Sequence, residues 1–84
     1  MDKTDTEGLG GAHAGLWWAA KGDWEQAHAV VQVAVGPEAD WVHAYLHRVE
    51  GDMENARYWY RLAGRPMPTG GHDTEWQQIA RALG

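Results

Sequence analysis

Two segments of this chain repeat one another: GDWEQAHAVVQVA, from Gly22, and GDMENARYWYRLA, from Gly51, lie 29 positions apart (51 − 22) and share a Gly, an Asp, a Glu and two Ala in register. A period of this length marks one helical unit used twice, because a single hairpin cannot bury its apolar face alone and needs a neighbour to stack on. In each copy a glycine supplies the turn, and an aspartate follows where a helix N-cap belongs. Ala27 or Ala56 then keeps the inter-helix contact small. The chain is thereby confined to stacked helical hairpins.

Apolar spacing fills in the remaining elements. Leu9, His13, Leu16, Trp17 and Ala20 predict a first helix over 11–21, ended by Gly22. Residues 1–8 have no apolar period and read as a flexible lead-in to a single domain over 9–84. Trp24, Ala27, Val31 and Ala34 or Val35 predict a second helix, capped by Asp23 and stopped at Gly36-Pro37. The β-branched run at 30–35 keeps the helical period and has no partner strand.

Pro37 suits the first turn of a third helix, with Glu38 and Asp40 near its positive end. Gly51 ends it, and Asp52 caps a fourth that turns Met53, Ala56, Trp59, Tyr60, Leu62 and Ala63 toward the core, with Arg57 and Arg61 opposite. GRPMPTGG, 64–71, is a loop. A last helix carries Trp76, Ile79, Ala80 and Leu83, with Asp73 or Thr74 as its cap and Gln77 completing a capping box. The expected architecture is all-α: two antiparallel helical hairpins and a C-terminal capping helix.

With 84 residues and no cysteine, the domain must be held by packing alone, and thiolate chemistry of every kind is excluded. Six tryptophans and no phenylalanine supply the large apolar areas that so short a chain needs. The net charge of −5 opposes nucleic-acid binding, since Glu50, Asp52 and Glu54 are mixed into the cluster of Arg48, Arg57, Arg61 and Arg65. Neither an export signal nor a membrane span is present, so a cytoplasmic location and no membrane partner are expected. There is no phosphate loop, no nucleophile elbow and no serine, so the chain is read as non-enzymatic and without a cofactor.

Gly51, Asp52, Ala56, Tyr60, Ala63 and Pro68 resemble the tetratricopeptide-repeat pattern of turn, inter-helix and terminal positions. The first copy keeps Gly22, Asp23, Ala27 and Ala34 but has Val31 for the aromatic and no terminal proline. The resemblance covers about residues 11–68; its 29-residue unit is shorter than the family's, and His43 and His47 stand where the family places Leu and Tyr. WVHAYLHRVEGDMENARYWYRLAGRP is also similar to a group of small bacterial proteins that have no assigned activity. The repeat resemblance implies a protein or peptide interaction module whose groove is formed by the first helix of each hairpin. Its expected contacts are Trp17, Trp18, Trp41, Tyr45 and Arg48, with Asn55 and Tyr58 beside them; Arg48 would pair with a carboxylate of the partner. Alternatively, these aromatics pack against the N-terminal segment or the last helix. A homodimer would be another way to cover apolar surface.

WVHAYLHRVEGD supplies a different chemistry, that of a small metal- or metabolite-binding protein. His43 and His47, four apart, face one way on the third helix, and Glu50 follows one turn on, a set that zinc, nickel or copper would accept. Three ligands from one short helix do not close around an ion without help from His13, His28 or His72. The alternative places both histidines between helices as structural groups bonded to Asp52, Asn55 or a tyrosine hydroxyl.

Overall fold

The computed structural model of the chain describes residues 10–84. The expectations for residues 1–8 and for Leu9 lie outside the described residues. Five helices follow in order: α1 Gly11–Ala20, α2 Trp24–Val33, α3 Pro37–Glu50, α4 Met53–Ala63 and α5 His72–Leu83. No strand occurs among the described residues. The fold is all-α, with α1/α2 and α3/α4 as two hairpins and α5 laid across α1 and α3.

The sequence repeat is a repeat of structure. Gly22 and Gly51 adopt φ of 79° and 86°, a left-handed conformation that costs other residues dearly. Each lets the next amide reach back over the helix end, Asp23 N–H to the Trp18 carbonyl at 3.0 Å and Asp52 N–H to the His47 carbonyl at 2.9 Å. The same two aspartates then cap the following helices, accepting from Gln26 N–H at 3.1 Å and Asn55 N–H at 3.4 Å.

Ala27 and Ala56 are fully buried, as small inter-helix contacts must be. α3 is central and touches α1, α2, α4 and α5. Gly15 lowers the helix propensity of α1 but is where α1 meets its neighbours: a Cβ there would stand 2.3 Å from Val31 Cγ1 and 3.3 Å from Val42 Cγ1. Close approach, worth more than the ~1 kcal/mol that glycine loses in a helix, explains it.

Four expectations need correction. α1 stops at Ala20, with Lys21 as its cap. α2 stops at Val33 rather than at 35, and Val33 and Val35 are exposed, because residues 34–36 are needed in non-helical conformation to turn the chain into Pro37. Met53 and Leu62 are also exposed rather than core, since α4 packs principally on α3 and its flanks stay open. α5 begins at His72 with Gly71 as its N-cap, so Asp73 and Thr74 lie within the first turn and no side chain caps it. No helix of the described residues is long and apolar enough to cross a membrane.

Candidate metal centre

The α2/α3 contact brings three histidines together. α3 presents His43 and His47 one turn apart, their rings stacked with centroids 4.9 Å apart and planes at 18°. α2 adds His28, 5.0 Å from the His47 ring and 5.6 Å from the His43 ring. One nitrogen from each imidazole lies within 4.8 Å of the others. Trp59 of α4 backs the cluster, stacked on His43 at 3.9 Å.

Hydrogen bonding orients these rings. His28 Nδ1 lies 3.2 Å from the Trp24 carbonyl oxygen, which can only accept, so this nitrogen carries the proton and Nε2 presents a lone pair. That Nε2 stands 3.1 Å from Glu50 Oε1 without hydrogen-bond alignment. His47 Nδ1 is similarly placed, 3.9 Å from Asp52 Oδ2. Both nitrogens are buried with no hydrogen-bond partner among the described residues.

Burial pushes His43 down to about 4, helped by the neighbouring charges His47 and His28 would carry. His47 is lowered by burial and then by His28, with Glu50 and Asp52 pulling the other way. At neutral pH these two rings are uncharged, with lone pairs available to a cation. The expected pair is therefore together, His28 is added from the other hairpin, and Glu50 stands beside His28. His13 is not part of this set; its Nε2 donates to the Leu83 carbonyl, 3.2 Å away.

The expected groove contacts are placed differently. Trp41, Tyr45 and Arg48 are buried, because α5 lies over the α1/α3 face. Their focus is Glu75, only 1% exposed, a residue that sequence reasoning missed. Its carboxylate accepts from Arg48 Nη1 at 2.9 Å, Trp41 Nε1 at 3.2 Å and the Tyr60 hydroxyl at 2.5 Å. Arg48 also donates to the Gly70 carbonyl, tying down the loop that leads into α5. The carboxylate expected on a partner of Arg48 is thus supplied by the chain itself.

Trp18 is buried and Trp17 half-buried, the two rings meeting edge to face at 4.9 Å. Tyr58 is exposed. Asn55 is exposed as well and acts as a bracket, its amide donating to Asp52 Oδ2 at 2.7 Å. An open cleft of about 590 Å³ remains between the α1–α2 turn and α5, lined by Lys21, Trp24, Tyr45, Asp73 and Trp76 among others. No family model, curated protein or solved structure matches the chain.

Proposed function

We propose that this protein binds a divalent transition-metal ion between its two hairpins, through His28 of α2 and His43 and His47 of α3, without catalysing a reaction. The observation that carries this reading is the pair of buried imidazole nitrogens, His28 Nε2 and His47 Nδ1, that have no hydrogen-bond partner among the described residues. A buried polar atom left unsatisfied costs about 1–3 kcal/mol, and a metal ion is the partner that accepts an imidazole lone pair. Ligand nitrogens around a tetrahedral ion at 2.0–2.1 Å stand roughly 3.3 Å apart, so the cluster needs only side-chain rotation to contract onto one. Imidazole donors suit zinc, copper and nickel and are poor for magnesium or calcium.

Because the ligands come from both hairpins, ion binding and folding are coupled. Purified metal-free protein should gain about 2.7 kcal/mol at an ion concentration a hundredfold above Kd. For a domain of this size that raises the melting temperature by roughly 10–20 °C. Trp59, stacked on His43, should report the event by fluorescence. His28→Ala and His47→Ala should abolish the response, and magnesium should give none. Identical melting of the wild type with and without zinc, nickel and copper would rule the reading out.

The open cleft favours a second reading. Its Trp24, Tyr45 and Trp76 walls fit an interaction module built of tetratricopeptide-like hairpins, working in the cytoplasm on a protein or peptide. In that case Trp24→Ala should abolish partner capture while His28→Ala leaves it intact; the opposite pattern would dismiss it.

A further inference from the structure

Three imidazoles leave the fourth position of a tetrahedral ion to be filled, either by water, as in sites that do chemistry, or by a fourth side chain, as in sites that hold structure. Building on the metal reading above, we infer that Glu50 is that fourth ligand, so that the ion sits in a closed site of three histidines and one carboxylate and clamps α2 to α3.

The His28–Glu50 contact is the first ground. His28 Nε2 and Glu50 Oε1 are 3.1 Å apart, close to the roughly 3.3 Å edge between two ligands of a tetrahedral zinc ion. With the His28 proton committed to the Trp24 carbonyl, both facing atoms carry lone pairs. In that neutral tautomer no proton lies between the two atoms, and a cation placed beside both would bind each of them.

The second ground is the place of Glu50 in the fold. It is the last residue of α3, at the helix end where the backbone dipole is negative and where an acidic side chain is disfavoured. A divalent ion held by His43 and His47 of the same helix reverses that penalty. Glu50 also lies three positions beyond His47 and seven beyond His43, hence on their side of α3.

The rival carboxylate is occupied elsewhere. Asp52 stands 3.9 Å from His47 Nδ1, but both its oxygens are already bonded, Oδ1 capping α4 through the Asn55 backbone N–H at 3.4 Å and Oδ2 accepting from the Asn55 side-chain amide at 2.7 Å. Drawing it onto the ion would uncap that helix, at about 1 kcal/mol. A closed set of three nitrogens and one oxygen also favours ions that take tetrahedral geometry, zinc and cobalt, over copper(II) with its tetragonal preference.

Cobalt(II) tests this on the full chain, because its visible bands report coordination number and ligand exchange. The wild type should show intense four-coordinate bands that azide and thiocyanate leave unchanged. Glu50→Gln should bind cobalt at least about tenfold more weakly, with bands that shift on adding azide as water enters the vacated position. Asp52→Asn should leave the affinity and the bands as in the wild type. Wild-type bands that shift with azide, or a Glu50→Gln protein with unaltered affinity and bands, would overturn the assignment of Glu50 while leaving a three-histidine site standing. Absence of any cobalt or zinc binding would overturn the metal reading itself, and this inference with it.

Discussion

Glu75→Gln should remove about 3–5 kcal/mol of stability, the largest loss expected from any single isosteric change in this protein. The side chain keeps its shape and can still accept from Trp41 and Tyr60, yet the Arg48 guanidinium, 8% exposed, is left as a buried charge without its counter-ion. A chain of this length has roughly 4–12 kcal/mol in total, so the variant would be partly unfolded at room temperature or would release α5. Urea unfolding followed by circular dichroism reads the loss directly. Adding Arg48→Met to Glu75→Gln removes the stranded charge, and the double variant should be more stable than Glu75→Gln alone. A Glu75→Gln protein within about 1 kcal/mol of wild type would mean that solvent reaches Arg48 and that the network does not hold α5 in place.

The same residue shows where sequence reasoning runs out. The turns were legible because Gly22-Asp23 and Gly51-Asp52 combine a left-handed glycine with a capping carboxylate, both set by local chemistry. Glu75 was not, because a carboxylate in a helix near a chain end reads as solvated surface. The available signal was its spacing: it lies four before Ile79, on the buried stripe of α5, and only a buried arginine elsewhere could make that position tolerable. His43 and His47 were visible as a pair since their alignment is a property of one helix. His28 belongs to another helix, and only the docking of α2 on α3 brings its imidazole to theirs. Trp41, Tyr45 and Arg48 do lie on the first helix of the second hairpin, as the repeat pattern implied, but periodicity does not say whether such a face awaits a partner or is covered by the chain's own α5.

Acid should destabilise the metal-free protein across a window set by His43. Burial first, then the charges on His47 and His28, hold its folded pKa at about 4 against 6.5 in the unfolded chain. Between those values the unfolded state binds a proton that the folded state refuses, so stability is complete above pH 6.5, falls as the pH drops toward 4 and levels off below. The shift corresponds to at most about 3 kcal/mol and to less where solvent screens the ring, and the lowered pKa of His47 acts in the same direction. Glu50 and Asp52, which face the cluster, favour the protonated rings and moderate the effect. His43→Phe retains a flat ring against Trp59 and removes the proton site, so its stability should vary less between pH 7 and pH 4 while its stability at pH 7 stays near that of wild type. Zinc should steepen the wild-type profile and leave that of His43→Phe nearly unaltered, because a ligand must shed its proton before it can hold an ion. Urea midpoints measured at half-unit pH steps, with and without zinc, separate the two contributions. Equal acid slopes for wild type and His43→Phe would show that the imidazole titrates as freely when folded as when unfolded, and that the cluster is wetter than its packing against Trp59 implies.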